Sequence, residues 1–585
     1  MLIKPIYNNI LFFIFMYALG ALCINTTVEY VYLPFIIKLY FELFFDLYVL
    51  CCLFMLLPQR FRLLSSWILA VFFYLMAIID LFCFVRLGTT ISPSILQLVM
   101  ETNSMEAHEF LSSYISPTIL ISPVGYVIIL MLTHIIISYF KKVTSFFTEV
   151  TLKCKKKSIV MNGIVAILLL VGVFAGLKNK RNIFHTWKLD SMGKVEVFFA
   201  SEYYNRRAQY LPVHRLAFAI HAINLTRQEL VTLQHAMYTT QIDSCKYTSP
   251  NIILIIGESY NKHHSQLYGY SQKTTPYQLH RKQANELYVF TNAVTPYNLT
   301  SDVLKNSFSL NDLTKGESWC EKPLFTNIFK KAGYQVTFLS NQFVIKQESN
   351  IHDFSGGVFL NNPSLSDLQF DIRNSKIHEY DEGLIDDFHT LCNKKASNHR
   401  LIIFSLIGQH ITYADRFPSN HTRLHTSDYQ RHDLNIEQLQ IVVDYDNATL
   451  YNDYVINKII QLFEKEDAIV INMPDHGDEC YDQIMTYGRL HCDPITKDIA
   501  TNEFQIPFWI WCSKKYNDLH SSIVKQISES TDRRFYSDDL PHLLLYLGGI
   551  YCQDYHEENN VISSSYNISR KRLLRKSIDY DEIIK

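Results

Sequence analysis

Asp475-His476-Gly477 stands just beyond the apolar run Ala468 to Ile471, so a carboxylate and an imidazole can project together from one tight turn. Glu258 holds the matching place after Asn251 to Ile256, in Gly257-Glu258-Ser259. Carboxylate oxygens and an imidazole nitrogen suit Zn2+. An Asp-His-Gly triplet alone is commonly an ordinary turn, and it is the partner at a second run's exit that makes a candidate metal centre. The segment Val294-Thr295-Pro296-Tyr297-Asn298-Leu299-Thr300-Ser301-Asp302 adds hydroxyls where a helix is predicted to begin. A hydroxyl beside a metal ion and a helix N-terminus is acidified and placed to hold a phosphoryl oxygen, as covalent phosphoryl transfer requires. The residue types leave Thr300 and Ser301 both eligible, and either would also serve as a plain helix cap.

These residues need a frame that brings them together. From about residue 246, short apolar runs alternate with amphipathic stretches, the pattern of a layered α/β domain. The predicted strands are Asn251 to Ile256, Gln335 to Leu339, Leu401 to Leu406, Ala468 to Ile471 and Phe508 to Cys512. Polar residues follow four of them: Gly257-Glu258-Ser259, Ser340-Asn341-Gln342, Gly408-Gln409-His410 and Pro474-Asp475-His476-Gly477. Such exits mark a site at the carboxyl edge of an open sheet.

The first third of the chain is different. Tyr7 to Asn25, Pro34 to Leu57, Ser65 to Val85, Pro117 to Phe140 and Ile159 to Leu177 are five runs long enough to cross a hydrocarbon core of about 30 Å. The first lacks a clear cleavage site and is expected to be retained. Arg60 and Arg62, then Lys141, Lys142, Lys153, Lys155, Lys156 and Lys157, place two loops in the cytoplasm, while Glu101, Glu106 and Glu109 suit the other side. Five crossings then deliver the rest of the chain outside, although Lys178, Lys180 and Arg181 at that exit run against the rule. Lys38, Glu42 and Asp46 share one face of the second span; such charges mark an internal ion network or the border of a lipid groove.

The expected organisation is therefore a five-span transmembrane domain (1–177), a bridging region along the membrane surface (178–245), a catalytic α/β domain (246–552) and a charged, weakly structured tail (553–585). Seven of the twelve cysteines lie in the exported part, where disulfides can form; Cys480 and Cys492 are the first candidates for a pair. A net charge of -2 and no basic helix interleaved with aromatic residues argue against a nucleic-acid partner.

Ile255-Ile256-Gly257-Glu258-Ser259, followed by His264, Leu267, Gly269-Tyr270 and Thr274-Thr275-Pro276, resembles the opening signature of the phosphoethanolamine transferases. Gly333-Tyr334 leading to Ser340-Asn341-Gln342, Tyr445-Asp446-Asn447 before Asp453, and Asp475-His476-Gly477 continue the likeness along the chain. The resemblance implies a sulfatase and alkaline-phosphatase-like fold, with one zinc ion, or two, and a metal site of Glu258, Thr300, Asp475 and His476. Thr300 would be the nucleophile, because the family threonine sits eight residues before a phenylalanine, here Phe308. His410 and His491 match histidines that hold phosphate or a second metal. Thr102 and Glu106, in Thr102-Asn103-Ser104-Met105-Glu106-Ala107, match a segment that contacts the ethanolamine head group. Ser405 and Leu98 stand where the family often has His and Asn.

The implied activity transfers phosphoethanolamine from phosphatidylethanolamine, through a phospho-threonine, to lipid A or the lipopolysaccharide core. It would be carried out by a monomer in the bacterial inner membrane with its catalytic domain in the periplasm. The rivals are a glycerol-phosphate transferase of the lipoteichoic-acid-synthase kind and a sulfatase-superfamily hydrolase. The Thr102 to Glu106 segment favours ethanolamine over the first, and no Cys or Ser in a formylglycine setting favours the second.

Overall fold

In the computed structural model the described residues are 2–28, 33–87, 90–93, 95–96, 117–139, 157–192, 194–195, 198, 209–344, 357–392, 397–489 and 495–585. Thr102, Glu106, His491, Cys492 and the basic loop between the fourth and fifth predicted spans lie outside them. The chain divides into two compact units, Met1–Arg227 and Gln228–Lys585.

The first unit is helical. Among the described residues, three of its helices are long and apolar enough to cross a membrane: Ile10–Thr27, Gln59–Arg86 and Ile159–Thr186. The other two expected spans differ in kind. Pro123–Tyr139 is apolar but has 17 residues, and Leu33–Met55 has 23 but carries Lys38, Glu42 and Asp46. Glu42 and Asp46 are joined to the helix Lys157–Thr186. Lys180 Nζ lies 3.2 Å from Glu42 Oε1 and 2.7 Å from Asp46 Oδ1, and Asn179 Nδ2 donates to Glu42 Oε2 at 2.8 Å. Charge at this depth is met by a partner of opposite sign, while Lys38 is exposed.

The second unit is built on a seven-stranded sheet. In chain order its strands are β1 (Asn251–Ile256), β2 (Leu287–Phe290), β3 (Gln335–Ser340), β4 (Ile372–Arg373), β5 (Arg400–Ser405), β6 (Ala468–Asn472) and β7 (Phe508–Cys512). Their order across the sheet is β2-β7-β6-β1-β5-β3-β4. The central strands β6, β1, β5 and β3 are parallel, and β7 runs antiparallel to both β6 and β2. Both faces of β1 are covered, Ile252 and Leu254 packing into one apolar core and Ile253 and Ile255 into another, which is why its sequence is an unbroken apolar run. Sequence periodicity finds the five longer strands. It misses β2 and β4, short outer strands whose patterns are weak.

Residues 553–585, expected as a loose charged tail, pack into this unit instead. Arg570 is buried against Asp312, Asp538 and Asp539, with 2.7 Å from Nη2 to Asp312 Oδ1 and to Asp538 Oδ2 and from Nη1 to Asp539 Oδ1. Leu573–Leu574 and Ile578–Asp579 then form a small antiparallel hairpin. Of the charges that suggested solvent, Arg570 and Arg572 are buried in ion pairs, the latter with Asp581. Arg570→Ala should lower the unfolding free energy by about 3–5 kcal/mol, because three buried carboxylates lose the cation they share; denaturant melts of the purified full-length protein check it.

Candidate active site

The carboxyl ends of β6, β1, β5 and β3 meet at one edge of the sheet. β1 ends at Ile256, and Glu258 follows one residue beyond Gly257. The next residue, Ser259, has φ +56, the left-handed region that non-glycine residues enter at a cost. The turn is held by Tyr445, whose hydroxyl donates to the Ser259 carbonyl at 2.6 Å and accepts from Asn261 N at 2.7 Å. Ser259 N donates to Asp475 Oδ1 at 3.0 Å, tying the β1 exit to the β6 exit. Two glycines let the backbones close in. A Cβ at Gly408 would lie 2.8 Å from the Glu258 carbonyl, and one at Gly477 would lie 2.1 Å from the Asn502 carbonyl.

Thr300 arrives from the side as the first residue of the helix Thr300–Phe308. Its Oγ1 lies 3.1 Å from both carboxylate oxygens of Glu258 and 3.2 Å from His476 Nε2. Ser301, the other eligible hydroxyl, is buried in the same helix. The structure therefore brings Glu258, Thr300, Asp475 and His476 together at the sheet edge.

One ligand atom from each of Glu258, Asp475 and His476 falls within 4.8 Å of the others. The set fits a zinc ion on two further counts. Asp475 Oδ2 is buried and without a hydrogen-bond donor. His476 donates Nδ1–H to the Gly477 carbonyl at 2.9 Å, leaving the Nε2 lone pair facing the cluster. Burial, and next the Asp475 charge, raise Glu258 above the usual carboxylate range, and burial raises Asp475 likewise. Burial and the Arg489 charge push His476 down to about 3, so the ring is held neutral.

Arg489 is the residue that sequence reasoning passed over. Its Nη1 donates to His476 Nε2 at 2.9 Å and lies 3.4 Å from Thr300 Oγ1, while Nε lies 3.7 Å from Asp478 Oδ1. Asp478 is buried and accepts from Tyr413 OH at 3.0 Å. Asp478 directly follows the Asp475-His476-Gly477 triplet, and Arg489 stands two residues before His491, which was the available signal. Gln342 was likewise seen only as part of a motif; its Nε2 donates to Glu258 Oε2 at 3.3 Å and to the Leu406 carbonyl at 2.8 Å. His410 lies on the loop after β5, with Nδ1 2.6 Å from the Ile411 carbonyl. Ser405 ends β5, buried, its carbonyl accepting from Asn341 N at 2.9 Å. Among the described residues Cys480 is a buried thiol, and Cys245, Cys320, Cys392, Cys512 and Cys552 form no disulfide with one another.

Other motif residues build the frame around the site. Asp453 caps the helix Pro276–Gln283 by accepting from Tyr277 N and Gln278 N at 2.8 and 3.1 Å. His264 is sandwiched between Asp446 Oδ1 at 2.6 Å and Asp482 at 3.2 Å, and Tyr270 and Tyr429 both donate to Asp446 Oδ2. Burial alone would lower its pKa, but Asp482 and Asp446 outweigh burial and lift it to about 10. Between the unfolded value near 6.5 and about 10, only the folded chain holds this proton. Its contribution to stability should be complete below about pH 6.5 and fall by up to about 1.4 kcal/mol per pH unit above it. His264→Gln should remove that alkaline slope in denaturant melts at pH 6 to 9.

The comparisons with known proteins bear on this site. The phosphoethanolamine transferase EptC of Escherichia coli (strain K12) is 26% identical over 550 residues, covering 90% of this chain and 88% of that protein. The crystal structure of the periplasmic domain of the E. coli EptC in complex with Zn superposes with a TM-score of 0.50 at 26% identity, over 59% of this chain and 95% of that one. The integral membrane phosphoethanolamine transferase EptA of Neisseria meningitidis has a TM-score of 0.50 at 18% identity over 94% of this chain and 97% of that one, a likeness of fold. The sulfatase family model matches residues 250–550, more than half of the chain and every strand that carries the site. With Glu258, Thr300, Asp475 and His476 gathered at the edge of the sheet that this match covers, the chain belongs to the sulfatase family.

Proposed function

We propose that this protein is a membrane-anchored transferase that moves phosphoethanolamine from phosphatidylethanolamine to lipid A or the lipopolysaccharide core, with Thr300 as the nucleophile. The observation that carries the reading is the position of Thr300 Oγ1, 3.1 Å from the Glu258 carboxylate and 3.2 Å from His476 Nε2 at the start of a helix. The shared name of the relatives supports phosphoethanolamine as the group transferred. The working form is a monomer, multi-pass in the bacterial inner membrane, with the catalytic unit in the periplasm.

Glu258, Thr300, Asp475 and His476 would hold zinc, which when bound supplies positive charge that acidifies the hydroxyl and neutralises phosphoryl oxygens. The chain's own groups supply the rest. Glu258 accepts the Thr300 proton, and Arg489, already 3.4 Å from Oγ1, donates to the phosphoryl oxygens. The backbone N–H groups of the Thr300–Phe308 helix N-terminus favour the same anion. The Thr300 Oγ–P bond forms as the P–O bond to the glycerol breaks, and diacylglycerol leaves with a proton. An acceptor oxygen then displaces Thr300, giving up its proton as the threonine regains one. By the family resemblance, His410 and His491 would contact the phosphate, and Thr102 and Glu106 the ethanolamine head group.

Intact mass spectrometry of the zinc-loaded full-length protein with a phosphatidylethanolamine analogue should show one phosphoethanolamine adduct, mapped to Thr300 and absent from Thr300→Ala. Labelling by a phosphatidylglycerol donor alone would instead favour the glycerol-phosphate transferase, and an adduct on Ser301 would move the nucleophile by one residue. Asp475→Asn and His476→Ala should each weaken zinc retention by more than about 100-fold, read by metal analysis after dialysis against a chelator series, because loss of a direct ligand exceeds the 10–100-fold typical of outer-shell partners.

A further inference from the structure

The loop that delivers Thr300 lacks the usual means of fixing a helix start. The N-cap position is Leu299, with no side-chain hydrogen bond to the first turn. The restraints come from elsewhere. Thr295 N donates to the Phe504 carbonyl at 2.9 Å, and Asn298 Nδ2 donates to Glu503 Oε2 at 2.6 Å. The Glu503 carbonyl in turn accepts from Gly477 N at 3.0 Å, so the nucleophile loop and the Asp475-His476-Gly477 turn share one support.

The other support is the hairpin Leu573–Leu574 with Ile578–Asp579, beyond the residues that the sulfatase model matches. Arg575 N donates to the Pro296 carbonyl at 2.9 Å, and Arg575 Nη2 donates to Asn298 Oδ1 at 3.1 Å. The Asn298 amide is thus held at both ends. Tyr580, just after the hairpin, accepts from Gln505 Nε2 at 2.7 Å and lies under the Arg572 guanidinium. Arg575 and Lys576 have φ +46 and +63, a conformation for which Gly or Asn would be the ordinary choice. A turn with no task beyond reversing the chain has no use for two strained cationic residues. A half-buried guanidinium bound to the second residue before the nucleophile does have one.

We infer that Arg575 is a positioning residue for the transfer reaction: by holding Asn298 and the Pro296 carbonyl, it fixes the approach of Thr300 to Glu258 and His476. The inference rests on the reading of Thr300 as nucleophile. It acts through geometry, since displacement of a reacting atom by about 1 Å can cost on the order of 100-fold in rate.

The test uses zinc-loaded full-length protein with a phosphatidylethanolamine analogue, together with hydrogen exchange across residues 294–304 without substrate. Arg575→Ala should lower kcat by about 10–100-fold with KM within about twofold, and should speed exchange in that segment alone. Arg575→Lys, which keeps one donor, should recover most of the rate, and Lys576→Ala should behave as wild type. Asn298→Ala with Arg575→Ala should be no slower than Asn298→Ala alone, because the two act through one contact. Should Arg575→Ala fail to fold, Arg575→Met, which keeps the bulk without a donor, takes its place with the same expectations. Unchanged kcat, lost kcat with unchanged local exchange, or additive losses in the double variant would each overturn the inference. Absence of turnover by the wild type would instead sink the transferase reading, while the exchange data would still judge the hairpin.

Discussion

Two carboxylates, Glu258 and Asp475, are buried side by side at the end of a parallel sheet, and the catalytic unit is arranged around keeping them there. Like charges removed from water are tolerated only where opposite charge and hydrogen-bond donors surround them. Ser259 N and His476 N supply donors to Asp475, while Gln342 and Thr300 supply them to Glu258. Arg489 supplies cationic charge from a different part of the chain. Each donor leaves a strand end or loop at the same edge, so a slip in strand register would break the charge balance as well as the core.

That dependence explains what could be read from sequence. Unbroken apolar runs such as Asn251 to Ile256 announce strands covered on both faces, and the polar triplets behind them announce the edge where chemistry collects. Glu258, Asp475 and His476 were visible because each directly follows such a run. Thr300 was harder, since a hydroxyl at a helix start has a plain alternative as a cap, and its placement against Glu258 separates it from Ser301. Arg489 and Asp478 were hidden because nothing in an arginine's neighbours says where its guanidinium will point. The last thirty residues were misread for a related reason. Charge density suggests solvent only until the countercharges are located, and Arg570 meets Asp312, Asp538 and Asp539 inside the fold.

The membrane unit shows the same logic in a harsher solvent. A helix with three ionisable side chains, Leu33–Met55, is a poor candidate for a span by composition, and its Glu42 and Asp46 find Lys180 on the helix Lys157–Thr186. The polar residues in this apolar setting are a fastening between two helices. Asp80 and Arg215 form a second buried pair of the same kind within that unit.

The contact between Arg575 and Asn298 joins residues 277 positions apart. Because a polypeptide is made from its N-terminus, the segment holding Thr300 exists long before the hairpin that steadies it. A partly synthesised chain can therefore pair β1 with the strands already made while the hydroxyl loop has its contacts with Glu503 and Phe504 and not yet the one with Arg575. Order in time is written into order along the chain: β1 and Thr300 are made early, and the contact from Arg575 to Asn298 is among the last the molecule can close.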